Sequence, residues 1–194
     1  MSNFTPTSEE ILACARSLIV SGGYNGFSYA DISEVVGIRK ASIHHHFPTK
    51  ADLVRTLVSR YREDAQATVA RMQRDTPDPR DQLRNYVGYW KGCIADASRP
   101  FCVCALLAGE LPALPPDVAI EVRGYFQLLS AWLTSAFERG AELGFFTLSH
   151  APRVEAEMFM ATVHGAMLSA RAYGDAEIFG LITGPLLERL SPRN

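Results

Sequence analysis

Apolar residues recur at intervals of three or four along most of this chain, which is the spacing of helices that bury one face. A first helix is predicted over about residues 7–21, because Thr7 and Glu10 form a capping box ahead of an apolar stripe. The stripe consists of Ile11, Leu12, Ala15, Leu18 and Ile19. No segment shows sustained alternation of apolar and polar residues, so we expect an all-α protein without a β-sheet.

Residues 24–53 have the pattern of two short helices joined by a glycine turn. Ser28 and Asp31 predict the start of the first, and Gly37 its end. We expect Ile32, Val35 and Val36 to form its buried face. The second is predicted from about Lys40 to Phe47, with Ile43 and Phe47 buried, and Pro48 ends it. This layout is that of a helix-turn-helix, which places its second helix in the DNA major groove.

Six further helices are predicted in the rest of the chain, so that the whole contains about nine. They cover about residues 50–75, 80–97, 101–110, 117–143, 151–173 and 175–190. We expect a three-helix DNA-binding domain over residues 1–49 and a helical body over 50–194, bridged by the helix that begins at residue 50. Proline at position 185 lies inside the last helix, where it predicts a kink.

The 194-residue composition is that of an ordinary globular protein, with 47% hydrophobic and 21% charged residues. Although the net charge is −2, residues 1–62 hold seven Lys or Arg against five Asp or Glu, so the N-terminal part is the basic one. The first residues lack the pattern of a secretion signal, and the apolar runs are too short or too polar to span a membrane. The sequence therefore predicts a cytoplasmic protein.

Residues 8–56 resemble the N-terminal domain of the TetR family of bacterial transcriptional repressors. The residues that carry the resemblance are Gly23, Gly26, Phe27, Ser28, Ile32, Val36, Gly37, Ile38, Ser42, Ile43, His46, Phe47, Lys50 and Leu53. The resemblance implies a homodimer on a near-palindromic operator, and a small-molecule effector that releases the repressor. It also implies that the last two helices form the dimer interface, although their small residues, such as Gly165 and Gly184, also suit packing within one subunit.

The same resemblance assigns DNA contacts. Phosphates would be held by Ser28, Tyr29, His44 and Lys50, and base edges would be faced by Lys40, Ala41, Ser42 and His45. Two residues depart from the family pattern. Arg39 stands where a small capping residue is more usual, and it adds a candidate base or phosphate contact; His44 replaces the usual phosphate-binding tyrosine.

Three consecutive histidines, His44, His45 and His46, also suggest a metal site. Consecutive helical residues point about 100° apart and cannot converge on one ion, so we expect DNA contact and no metal. The sequence contains no Ser-His-Asp arrangement, glycine-rich phosphate loop or paired carboxylates, so we expect neither an enzyme nor a cofactor. The competing hypothesis from another class is an all-α small-molecule-binding protein or enzyme without DNA binding.

Two sets of residues in the body are candidates for sensing a signal. For effector binding the candidates are Tyr86, Trp90, Phe126 and His164, each of which also suits an ordinary helical core. The second set is Cys102 and Cys104, predicted in the first turn of a helix, where the dipole lowers a thiol pKa. The segment FCVCALLAGE resembles that of TetR-like repressors that respond to electrophiles, so a thiol sensor is the alternative to inert, buried cysteines.

Overall fold

The computed structural model describes residues 6–96 and 101–189, and every regular element in these two ranges is helical. The α-helices are α1 Pro6–Gly22, α2 Tyr29–Val36, α3 Lys40–His46, α4 Lys50–Asp75, α5 Pro79–Ala95, α6 Val103–Gly109, α7 Pro116–Glu142, α8 Pro152–Tyr173 and α9 Glu177–Glu188. A short 3₁₀ helix, Leu111–Ala113, lies between α6 and α7. The all-α prediction is confirmed, and each predicted helix is found with its ends displaced by at most a few residues.

Two compact units make up the described residues. The first contains residues 6–64 and 101–125, and the second contains 65–96 and 126–189. The division falls within α4 and within α7, so each of these long helices has residues in both units. The predicted boundary after residue 49 divides the chain by function, into a DNA-binding domain and a helical body. This functional division stays a prediction.

The first unit is built on α1, which contacts α2, α3 and α6. Its core contains Ile11, Ile19, Ile32, Ile43 and Phe47, all of them buried. One prediction about this core is wrong. Val35 is 68% exposed, because it lies about 100° around the helix from Val36, and the inward face of α2 is instead centred on Tyr29 and Ile32.

The second unit packs α5, α8 and α9 against one another. Its core is rich in aromatic rings, including Tyr86, Trp132, Phe137 and Phe159. The buried Gln82 satisfies both ends of its amide there: Nε2 donates to the Thr76 carbonyl at 2.7 Å, and Oε1 accepts from Trp132 Nε1 at 3.3 Å. These bonds meet the requirement that a buried amide find partners for its polar atoms.

Candidate nucleic-acid interface and effector residues

The start of the helix-turn-helix is fixed by a complete capping box at Ser28. The Ala30 amide donates to Ser28 Oγ at 3.1 Å, and Asp31 Oδ2 accepts from the Ser28 amide at 2.6 Å. Hydrogen bonds from the Ser28 hydroxyl and the Ser28 amide hold the pKa of the Asp31 carboxyl below its usual value. Gly37 ends α2 in the left-handed conformation, with φ at +73°. The turn that carries α3 is therefore set by local interactions.

Tyr29 connects the start of α2 to the end of α3. Its hydroxyl donates to the Phe47 carbonyl at 2.8 Å, and its ring lies 4.7 Å from the His44 ring, edge to face. Burial, together with the charge of Asp52 and the neighbouring Tyr24, raises the pKa of Tyr29 to about 12. The one hydroxyl proton of Tyr29 is thus donated to the Phe47 carbonyl. It is not donated to a phosphate, the role that the resemblance implies for Tyr29.

Phe27, Ser28, Tyr29, His44 and Lys50 line an open depression of about 390 Å³, which we call the notch. The structure therefore brings together all four residues that were predicted to hold phosphates. Lys50 Nζ donates to the Phe27 carbonyl, and it lies 4.1 Å from the centre of the Phe27 ring and 4.9 Å from that of Tyr24. These contacts hold a cation at the edge of the notch.

His44 is fixed in one tautomer by its neighbour. Its Nδ1 lies 3.1 Å from the carbonyl oxygen of Pro48. A carbonyl only accepts hydrogen bonds, so Nδ1 carries the proton in this contact. In the neutral ring Nε2 is then an acceptor, and it becomes a donor only when the ring is protonated.

The predicted base-facing residues lie on α3 as expected. Lys40, Ala41 and His45 are exposed, and Ser42 is half-buried. Arg39 is exposed at the N-cap position in extended backbone, and its side chain makes no capping hydrogen bond within the described residues. The guanidinium is thus not used to cap α3, and it stays available beside Lys40.

The four predicted effector residues lie in the second unit as two pairs. The rings of Tyr86 and Trp90 are 6.5 Å apart, and those of Phe126 and His164 are 5.2 Å apart. Phe126 is half-buried and the other three are buried. Among the described residues, Trp90 Nε1 and His164 Nε2 are buried without a hydrogen-bond partner. Burial lowers the pKa of His164 to about 4, so its ring is neutral near pH 7.

A groove of about 520 Å³ between α7 and α8 was not predicted from the sequence. It is lined at one end by Phe126 and Met160. The remaining lining residues are mostly polar: Gln127, Ser130, Ala131, Thr134, Ser135, Glu138, Arg153 and Glu157. The feature of the sequence that could have indicated this groove is the polar face of α7. Its polar residues recur at intervals of three or four: Gln127, Ser130, Thr134 and Glu138.

Cys102 and Cys104 lie at the start of α6, as predicted, with Cys102 at the N-cap. Both side chains are fully buried, and burial raises the pKa of each thiol. The Cys102 thiol lies 3.6 Å from the Tyr125 hydroxyl. The lowered thiol pKa expected from the helix N-terminus is therefore wrong, because desolvation outweighs it at this position. Of the two alternatives for these cysteines, buried side chains are the one found.

No helix within residues 6–96 and 101–189 is long and apolar enough to cross a membrane. The described chain thus presents a capped helix-turn-helix with a cationic notch beside its second helix. These are the features of a helix-turn-helix DNA-binding protein.

Comparisons with known proteins agree with this class. Residues 11–57 match the model of the bacterial regulatory proteins of the tetR family. A TetR-family transcriptional regulator from Agrobacterium tumefaciens is 61% identical, with 96% of this chain and 98% of that chain covered and a TM-score of 0.93. A TetR transcriptional regulator from Legionella pneumophila, at 24% identity with 98% and 100% covered, has a TM-score of 0.86.

A further relative is the uncharacterized HTH-type transcriptional regulator YvkB of Bacillus subtilis. It is 24% identical over 173 residues, which cover 89% of this chain and 87% of YvkB. The chain belongs to the TetR family and is a DNA-binding transcriptional regulator. The family is one of transcriptional regulators and not of enzymes.

Proposed function

We propose that the protein is a homodimeric repressor that a small molecule releases from a near-palindromic operator. Each subunit places α3 in a major groove, so that two half-sites lie roughly 34–36 Å apart. The convergence of Ser28, His44 and Lys50 on one notch is the observation that carries this proposal. A phosphate seated there would fix the register of α3, leaving Lys40, Ser42 and His45 to contact bases.

In this arrangement Lys50 supplies the charge. One of its three N–H groups is used by the Phe27 carbonyl, and the other two are free in principle to donate to phosphate oxygens. The Ser28 hydroxyl donates its one proton to Asp31 Oδ2 at 2.8 Å and accepts from the Ala30 amide, so it lines the notch while its proton is used in the capping box. The Tyr29 ring forms a wall of the notch and supports His44. We therefore assign Tyr29 and Ser28 supporting parts and leave phosphate donation to Lys50 and to the protonated His44.

His44 makes operator binding depend on pH. Since Nδ1 faces the Pro48 carbonyl, only the protonated ring has an Nε2–H to offer a phosphate. A protonated imidazole would therefore add one charge-assisted donor to the notch. We expect operator affinity to rise by roughly threefold to tenfold as pH falls from about 7.5 to 6, measured by fluorescence anisotropy at fixed salt.

The His44→Gln variant should remove most of this slope, whereas His45→Gln, which changes an exposed ring on the same helix, should keep it. An equal slope in wild type and His44→Gln would remove His44 from the phosphate role.

Effector release would act through the second unit. Within residues 6–96 and 101–189, neither Trp90 Nε1 nor His164 Nε2 has the partner that a buried polar atom normally has, and such an omission costs about 1–3 kcal/mol. A ligand that accepts a hydrogen bond from the indole N–H, or that hydrogen-bonds the neutral imidazole, would recover part of this energy. The surrounding rings favour a largely apolar molecule with a few polar atoms.

Compounds that release the protein from its operator should lose potency by about tenfold on the Trp90→Phe variant, because one hydrogen bond is removed while the ring packing is kept. Operator affinity without compound should stay unchanged. Tyr89→Phe is the matched control, since Tyr89 neighbours Trp90 but is 53% exposed. Compounds that act equally on wild type, Trp90→Phe and His164→Phe would place the effector site elsewhere.

A further inference from the structure

Glu110, the residue that ends α6, reaches the turn between α1 and α2 in the first unit. The Tyr24 amide N–H points at its carboxylate, 3.0 Å from Oε2 and 3.3 Å from Oε1. The two residues are 86 positions apart in the chain. Hydrogen bonds to a charged acceptor are stronger than neutral ones, so this contact fixes the turn to the end of α6.

The turn has the shape that this contact requires. Gly23 has a φ of +76°, which glycine adopts without strain. A Cβ atom at position 23 would lie 2.3 Å from Glu110 Oε1, far inside van der Waals contact. Glycine at this position therefore serves both the backbone conformation and the approach of the carboxylate.

The same turn leads directly to the notch. The Tyr24 ring lies 4.9 Å from Lys50 Nζ, and Phe27, three residues further on, accepts a hydrogen bond from that ammonium. The charge of Glu110 also acts on Lys50. Burial lowers the pKa of Lys50, and the carboxylates of Asp31 and Glu110 oppose that shift.

We propose that Glu110 is a positioning residue for DNA binding: its carboxylate holds the Tyr24 turn, and that turn sets Lys50 in the notch. The inference rests on the phosphate role proposed for the notch. Glu110 has two effects of opposite sign. Its geometry favours DNA binding, whereas its negative charge beside Lys50 weakens the attraction for phosphate.

Three substitutions separate these two effects. Glu110→Gln keeps an acceptor at the same reach and removes the charge. Glu110→Asp keeps the charge but shortens the side chain by one methylene, so that the carboxylate no longer reaches Tyr24. Glu110→Ala removes both. Glu10→Ala is the matched control, because it deletes an exposed carboxylate from α1 in the same unit.

Affinity is measured by fluorescence anisotropy with a 30-base-pair duplex of mixed sequence at low salt, since phosphate contact does not depend on sequence. We expect Glu110→Asp and Glu110→Ala to weaken binding by about tenfold, the scale of one charge-assisted hydrogen bond. Glu110→Gln should bind as well as wild type or more tightly, and Glu10→Ala should not bind more weakly than wild type. Wild-type affinity in Glu110→Asp, or equal weakening in Glu110→Gln and Glu110→Asp, would overturn the proposal.

A double-mutant cycle with Lys50→Ala tests whether Glu110 acts through Lys50. If it does, Glu110→Asp should weaken the Lys50→Ala protein by less than about twofold. Full additivity would show that Glu110 acts by another route. If Lys50→Ala alone leaves DNA affinity unchanged, the notch is not a phosphate site. If Lys50→Ala weakens binding strongly but Glu110→Asp binds like wild type, only the positioning role of Glu110 is refuted. Thermal unfolding of Glu110→Asp and Glu110→Gln checks that both are folded.

Discussion

Lys50→Ala is expected to weaken binding to every DNA duplex by at least about tenfold, and to reduce the slope of log affinity against log salt by about one unit per subunit. The reason is that the Lys50 ammonium stands at the notch, where we propose that it contacts a phosphate and no base. A phosphate contact carries no sequence information, so the ranking of sites should not change. Affinities for a selected operator and for mixed-sequence DNA, each measured over a range of salt, check this result.

Matched variants of α3 give the opposite signature. Lys40→Ala and Ser42→Ala should change which sites are selected from a random pool, because these residues lie on the face predicted to meet base edges. Lys91→Ala removes an exposed lysine of the second unit and controls for the loss of charge alone. A Lys50→Ala protein with altered site preference and undiminished affinity would show that the two roles are wrongly assigned.

The combined substitution Leu168→Glu and Leu181→Glu is expected to produce monomers and to lower operator affinity by more than about a hundredfold, because two half-sites are then no longer bound together. An exposed stripe on α8 motivates it: Val154, Met158, Ala161, Gly165 and Leu168 follow one another at three or four residues. Leu181 is 71% exposed on α9, which packs against α8. Apolar residues in such a stripe call for a covering partner, and the small Ala161 and Gly165 let a second helix approach closely.

Sedimentation equilibrium measures the oligomeric state, and anisotropy measures operator affinity on the same samples. Leu143→Glu is the control, since it places the same charge on an exposed leucine outside the stripe. Each subunit should keep its helical content, because both substituted leucines are exposed in the described chain. Dimers that persist with full operator affinity would move the interface away from α8 and α9.

Much of the first unit could be predicted from sequence because its signals are local. The capping box at Ser28, the glycine stop at position 37 and the proline at 48 act over four residues or fewer, and the structure has each element where these signals place it. The grouping of Ser28, Tyr29, His44 and Lys50 followed from the family resemblance, and one notch contains them all. The face of α2 was less certain, since in eight residues Val35 and Val36 fit the apolar spacing equally well.

The cysteines mark the limit of that reasoning. Their position at the start of α6 was predicted correctly, and a helix N-terminus does lower a thiol pKa. Burial has the opposite and larger effect on Cys102 and Cys104, and it raises both pKa values. No local pattern shows which residues pack over a given helix start, so the sign of the shift could not be obtained from the sequence.

The sequence by itself determined the helices, their ends, the helix-turn-helix and the membership of a regulator family, because periodicity, caps and glycine turns act between neighbours in the chain. Tertiary structure decided which polar atoms meet. In the folded chain the Tyr29 hydroxyl donates to the Phe47 carbonyl, and the Pro48 carbonyl fixes the tautomer of His44. Trp90 Nε1 is left unpaired within the described residues. Glu110 contacts Tyr24, from which it is separated by 86 positions. Such contacts depend on the packing of whole helices, and their partners are not encoded by spacing along the chain.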